Sequence, residues 1–323
     1  MSIPAVVLAP LAGGPSTPEL AAAVANAGGL GFVAGGYLTP EVFADQLRRA
    51  RELTREPLGA NLFVLAEEPI DEAAVAAYAH ELKDEGELGE PRFEDDWLEE
   101  KVAIVVASGV EILSTTFGAP PSWLVDAAHA AGIQVWATVA TVGDARIAAD
   151  TGADVLVAQG IEAGGHRGAF DDHDESDLPL LALLAGVRAA VDLPLVAAGG
   201  IADRVTAEAA LAGGATAVQV GSAFLLCPEA GTHPVHRAAL ERGGETALTR
   251  AFTGRRARGI VNRFMRDHPD APSAYPQIHH LTAPLRADAR RNGDADRVNL
   301  WAGTSFDRAR AKPAAEVVAD LRP

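Results

Sequence analysis

The chain has 323 residues, 48% hydrophobic and 22% charged, enough to bury a large core and too apolar for a disordered segment. Its 27 basic and 44 acidic side chains leave a net charge of −17 with histidine neutral, a field that repels phosphate backbones and anionic membrane surfaces, so neither nucleic acid nor a membrane is an expected partner. The single Cys227 excludes an internal disulfide, and no Cys/His cluster has zinc spacing, which suits a reducing compartment, the cytoplasm, and a protein without a structural metal. In chain order, residues 3–12 are apolar but lack a basic leader, and no run reaches the roughly 18 apolar residues of a membrane span. Residues 3–9 read as a first strand. Further short β-branched or apolar runs follow at 30–34, 58–63, 110–115, 133–139, 154–159, 193–198 and 217–221. Most end near Gly, Pro, Asn or Gln and lead into an Ala-rich stretch of helical period. Strand alternating with helix means parallel strands joined by crossovers, and eight of them close a (β/α)8 TIM barrel.

Helix starts are legible in Ser16-Thr17-Pro18-Glu19 and in Thr39-Pro40-Glu41, each with a hydroxyl cap, proline in the first turn and an acid behind it. Gly28, Gly29, Gly132, Gly152, Gly213 and Gly214 stand where helices stop. The acidic stretch 81–100 reads as a solvated excursion that adds a second helix between the third and fourth strands. After Gly221 the rhythm breaks, and residues 224–296, richer in Arg, His and Pro, read as a smaller cap over the barrel mouth. The barrel itself is 1–223 plus 297–323, with a last helix from about Asp307.

Barrel chemistry gathers at the C-terminal ends of the strands. Pro10, Asn61, Thr115, Thr116, Thr138 and Gln159 stand there, small or amide groups suited to a flat polar ligand, although a strand-end Asn or Thr often serves only a turn. Gly199-Gly200 and Gly221-Ser222 are one βα unit apart, after the seventh and eighth strands. Their N–H groups and a short helix at 223–226 suit a phosphate, and so a mononucleotide, unless the glycines merely close tight turns. The loop Gln159 to Gly168 sets four glycines around His166, which they let approach a ligand for proton transfer or substrate contact. The other histidines read as surface or cap residues.

These segments together resemble the nitronate monooxygenases, once called 2-nitropropane dioxygenases. The resemblance rests on Ala9-Pro10-Leu11-Ala12-Gly13-Gly14, Asn26-Ala27-Gly28-Gly29-Leu30-Gly31, Asn61-Leu62-Phe63, Phe117-Gly118-Ala119-Pro120 and the Glu162-Ala163-Gly164-Gly165-His166 loop. It extends to the segments Ala197 to Asp203 and Val218 to Phe224. It implies an FMN-dependent (β/α)8 enzyme that oxidises alkyl nitronates with dioxygen to a carbonyl compound and nitrite. By the same resemblance Gly199, Gly200, Gly221 and Ser222 would hold the FMN phosphate, Pro10, Leu11, Ala12, Asn61, Gln159 and Gly164 would surround the cofactor, and His166 would face its reactive edge. His166 would be the base for a neutral nitroalkane and would position an anionic nitronate. Where the family often has Trp-Ala-Gly-Gln, this chain has Trp301-Ala302-Gly303 followed by Thr304 and Ser305. The competing readings are an FMN-dependent enoyl-acyl-carrier-protein reductase using NAD(P)H, which shares the His166 loop, and a flavin- or phosphate-binding barrel without turnover. Composition decides nothing about oligomeric state.

Overall fold

The computed structural model describes residues 2–322. In chain order its elements are β1 (Val6–Leu8), α1 (Pro18–Asn26), β2 (Gly31–Ala34), α2 (Pro40–Leu53), β3 (Leu58–Phe63), α3 (Glu72–Glu81), α4 (Leu98–Ser108), β4 (Ile112–Thr116), α5 (Ser122–Ala130), β5 (Gln134–Val139), α6 (Val142–Asp150) and β6 (Val155–Gln159). Then come β7 (Gly165–His166), α7 (Leu180–Ala190), β8 (Leu195–Ala198), α8 (Arg204–Ala212), β9 (Ala217–Val220), α9 (Pro234–Arg242), β10 (Thr246–Thr249), β11 (Ala257–Ile260), α10 (Arg263–Asp267), α11 (Gln277–Arg291) and α12 (Ala314–Leu321).

Eight parallel strands run β1-β9-β8-β6-β5-β4-β3-β2. Leu30 closes the ring between β2 and β1, its N–H donating to the Val6 carbonyl at 3.0 Å and its carbonyl accepting from the Leu8 N–H at 2.9 Å. The eight strands are those the apolar runs predicted, and the fold is a (β/α)8 TIM barrel. Val7, Phe32, Ile112, Trp136, Val157 and Val196 come from six different strands into one buried cluster, which only inward-facing positions can do. Phe32 and Trp136 pack there with ring centroids 5.8 Å apart and plug the barrel. Outside, Thr17 and Thr39 cap α1 and α2 by accepting from the Leu20 and Val42 N–H groups, so each helix starts directly after a strand loop.

Three departures from the sequence reading bear on function. The stretch 81–100 is mostly exposed and leads into a second helix between β3 and β4, as expected, but α4 begins only at Leu98 and the preceding residues strap the barrel to the C-terminal third. Glu85 pairs with Arg263 at 2.8 Å, Glu81 meets His268, and Asp96 forms a buried ion pair with Lys101 at 2.8 Å. Glu81 and Glu85 face partners from far along the chain, which local composition does not reveal. Secondly, the His166 loop contributes β7 to a separate antiparallel sheet, β10-β11-β7, in which Ala257 faces His166 and Arg258 faces Gly165. Thirdly, α12 starts after Pro313 rather than near Asp307, where only a single 3-10 turn forms.

The segment 224–296 shares its apolar packing with its neighbours. Phe252, Phe264, Met265 and Ile278 bury Val75 and Tyr78 of α3, while Leu225, Ile260 and Ala289 bury Leu300 and Phe306.

Candidate active site

A cavity of about 630 Å³ opens at the C-terminal ends of the barrel strands under the segment 224–296. Its wall includes each residue expected to hold the cofactor or do the chemistry: Pro10, Leu11 and Ala12 after β1, Asn61 on β3, Gln159, Gly164 and His166 around β6 and β7, Gly199 and Gly200 after β8, and Gly221 and Ser222 after β9. Thr116 and Thr138 also reach it. Thr115 does not: strand alternation turns its side chain away, fully buried, and its hydroxyl finds no partner among the described residues.

The side chains differ in what they leave free. The Asn61 amide donates to the Ser114 hydroxyl at 2.8 Å, the Ser114 carbonyl at 3.3 Å and the Thr116 hydroxyl at 3.1 Å, which fixes Nδ2 inward and leaves Oδ1 for a ligand. The Gln159 amide instead staples its own loop. It donates to the His166 carbonyl at 3.1 Å and accepts from the Gly168 N–H at 2.8 Å and from Arg167 at 3.0 Å. On the far side, Gly199 and Gly200 have φ of +110° and +72°, a backbone hand that side chains rarely adopt, so the chain bends its peptide groups toward the cavity there. Gly221 leads into a 3-10 turn, Ser222–Phe224, whose first N–H groups are left without partners by geometry. Here the C-terminal return closes in, with Ser222 Oγ accepting from the Gly303 N–H at 2.9 Å and Ser305 Oγ donating to the Gly200 carbonyl at 3.0 Å.

Gly164 has a different task. A Cβ there would lie 2.4 Å from the Gly303 nitrogen and 2.5 Å from the Ala302 carbonyl carbon, so only glycine lets the loop touch the return segment. This contact and the β7–β11 pairing aim His166 into an aromatic box of Phe117, Tyr275 and Trp301, with ring centroids 5.6, 5.6 and 5.4 Å away. Its Nε2 lies 3.0 Å from Thr253 Oγ1. Burial, reinforced by Arg255 and Arg286, pushes its pKa down to about 3. The ring is therefore held neutral.

The cavity lining among the described residues contains no aspartate or glutamate, in a chain of net charge −17. It does contain Arg286 and Arg290. Together with His279 and Ala283 they form one face of α11, spaced 4, 3 and 4 residues apart. Sequence reasoning passed over this face, although its helical spacing was readable. His279 stacks on Tyr37 at 4.4 Å between centroids, and the Tyr275 hydroxyl donates to the Tyr37 hydroxyl at 3.1 Å. Tyr37 adopts φ +67°; its N–H donates to Asp96, whose partner Lys101 holds the Gly35 carbonyl at 2.9 Å. His236 also lines the cavity, its Nε2 without a partner among the described residues, and burial pushes its pKa down to about 4.

Fold and site together define a barrel oxidoreductase with a cationic, acid-free pocket at its catalytic face. The family model for nitronate monooxygenase matches residues 1–323. The nitronate monooxygenase of Pseudomonas aeruginosa is 40% identical over 332 aligned positions that cover 98% of this chain and 94% of the relative. Among solved structures, a nitroalkane oxidase from Streptomyces ansochromogenes superposes with a TM-score of 0.94 at 45% identity, covering 98% of this chain and 94% of the other. FabK from Thermotoga maritima is more distant, with a TM-score of 0.75 at 26% identity over 99% and 92% of the two chains. The chain belongs to the nitronate monooxygenase family. It is an enzyme, and among its described residues no helix is long and apolar enough to cross a membrane.

Proposed function

We propose that the protein binds FMN and oxidises alkyl nitronates with dioxygen, giving a carbonyl compound and nitrite, and that neutral nitroalkanes react where His166 first removes the α-proton. The observation that carries this reading is the pairing of a glycine-lined cradle at Gly199, Gly200, Gly221 and Ser222 with a pocket free of carboxylates. An anionic substrate and an anionic cofactor phosphate both find positive potential there and no repulsion. FMN, when bound, supplies the two-electron oxidation and returns the electrons to dioxygen. The two glycine loops provide one phosphate cradle, and no Gly-x-Gly-x-x-Gly turn follows the first strand for a second, which favours FMN over FAD.

The residues of the chain divide the remaining work. Asn61 offers an acceptor to the heterocycle, while Gln159 acts through the loop, keeping His166 in place. His166, neutral and boxed by aromatic rings, takes up a proton from carbon. Tyr37, Tyr275, Trp301 and the face of α11 roof the pocket and exclude water. The segment 224–296 is in this reading the cap, carried on a barrel of 1–223 plus 297–323.

The deciding experiment is the visible spectrum of the purified protein followed by anaerobic mixing. A flavin spectrum bleached rapidly by propionate 3-nitronate, and not by NADH or NADPH, is expected. Bleaching by the nicotinamide alone would move the chain to the enoyl reductase reading, and a colourless protein that FMN does not restore would remove both.

A further inference from the structure

Arg286 is 5% exposed and sits on α11 inside the cavity roof. Its Nε donates to Thr282 Oγ1 at 3.0 Å and its Nη2 to the His279 carbonyl at 2.8 Å, both neutral acceptors. Among the described residues no carboxylate lies within ion-pairing distance, and Nη1 has no protein acceptor. Arg290, one turn further along, is likewise held only by a neutral oxygen, Asn299 Oδ1 at 2.7 Å.

Burial alone argues against leaving such a cation uncompensated. Two other buried arginines, Arg167 and Arg256, share Asp177, whereas Arg255 is held by the Arg167 and Ala169 carbonyls and does not line the cavity. Burial brings the Arg286 pKa down to about 10, so it remains a cation at neutral pH. The same helix face places it beside His279, which packs against Tyr275, which in turn packs against His166. The charge, the open Nη1 and the proximity to His166 converge on one region of the cavity.

We infer that Arg286 is the residue that binds the head group of the substrate, receiving a planar nitrogen oxyanion, the two oxygens of a nitronate, on its free guanidinium edge. This rests on the proposed function and assigns the specificity of the same site. A guanidinium suits the task because its fork matches two oxygens in one plane, which a lysine ammonium does not. When the substrate enters as a neutral nitroalkane, the charge that leaves carbon on proton removal gathers on those oxygens, so Arg286 also favours the deprotonated product over the carbon acid.

Nitrate, a planar oxyanion that cannot be oxidised here, is the probe. Titrated into the FMN-loaded holoenzyme and followed by the flavin difference spectrum, it should bind wild type best, Arg286→Lys more weakly because the fork is lost while the charge is kept, and Arg286→Gln about 10- to 100-fold more weakly than wild type, the worth of a hydrogen bond to a charged group. The KM for a nitronate should rise by the same factor in Arg286→Gln, with kcat changed far less. Arg291→Gln, an exposed arginine of the same helix, serves as the control and should match wild type. The imidazole of His166, followed by NMR in Arg286→Gln, should titrate closer to its ordinary value, a readout independent of turnover. Unchanged nitrate affinity in a folded Arg286→Gln protein would overturn the assignment. If that variant does not fold, wild-type crystals soaked in nitrate decide: the anion must lie within hydrogen-bond reach of the Arg286 guanidinium, and an anion elsewhere in the cavity overturns the assignment. A wild-type enzyme that binds nitrate at Arg286 but turns over no nitronate would sink the proposed function and leave the anion site standing.

Discussion

His166 Nε2 is held by the Thr253 hydroxyl at 3.0 Å, and that hydroxyl has its own acceptor in the Arg255 carbonyl at 3.2 Å. With its one proton directed to the carbonyl, Thr253 accepts from Nε2–H, which leaves the imidazole lone pair on Nδ1. The basic atom of the loop is thereby chosen by a residue 87 positions away.

Replacing His166 with Asn should lower kcat/KM for a neutral nitroalkane by roughly 10²- to 10⁴-fold, the usual worth of a positioned base. The pre-ionised nitronate should lose only about what one hydrogen bond supplies, a few-fold. Thr253→Val should show the same selectivity in smaller measure, about 3- to 10-fold on the nitroalkane alone. Measuring both ionisation states of one substrate separates the roles, and equal losses in His166→Asn would leave positioning as its only task. FMN content should be unchanged in both variants.

Acid should destabilise the fold through its buried histidines. His166 and His236 have pKa values pushed down to about 3 and about 4, against an ordinary 6.5. Below 6.5 the unfolded chain binds protons that the folded one refuses, so stability is full above that value and falls as pH drops, by about 1.4 kcal/mol per pH unit per histidine. Urea denaturation at about pH 7.5 and about pH 5.5 tests this, and His236→Asn should flatten the difference. For the same reason kcat/KM for a nitronate should show no limb from His166 between about pH 5 and 8.

Gly221→Val should yield a folded protein that does not retain FMN. Even the first carbon of the new side chain would lie 3.1 Å from Leu11 Cδ2 and 3.4 Å from Ala9 Cβ, crowding the cradle from the β1 side. Its φ of −115° lies outside the left-handed region that favours glycine. Absorbance of flavin per protein, with circular dichroism as the check on folding, reads the result. A yellow, fully active variant would mean that the phosphate is held elsewhere, and FAD released on heating would contradict the single cradle.

Gly164→Ala should cost about 1–3 kcal/mol, the usual penalty for overpacking a close contact. The cause is the 2.4 Å approach of the new Cβ to the Gly303 nitrogen, which backbone cannot relieve by rotating a side chain. Turnover should fall with stability because the displaced loop carries His166. A denaturation midpoint equal to wild type would show that the return segment yields freely.

The barrel was legible because each strand is a short apolar run closed by a helix signal, and such signals are local. Gly199, Gly221 and His166 were legible because glycine-rich turns at strand ends are rare enough to mark a site. Arg286 and Tyr37 were not. Arg286 reads as a polar residue on a charged helix, and only packing against the barrel mouth turns its face inward. Tyr37 follows two glycines as any loop residue might, and its left-handed backbone is imposed by Asp96, 59 positions later. Gln159 lines the cavity, but its amide bonds lie within its own loop and depend on where Gly168 returns, which the sequence does not show.

The strand β7 ties the His166 loop into the same ladder as β10 and β11. The segment 224–296 is carried on that ladder. To swing clear of the barrel it would have to strip the pairing at Gly165 and His166 and pull the imidazole away from whatever lies beneath. Small molecules that enter or leave the cavity without that rupture therefore pass between the side chains that line its mouth.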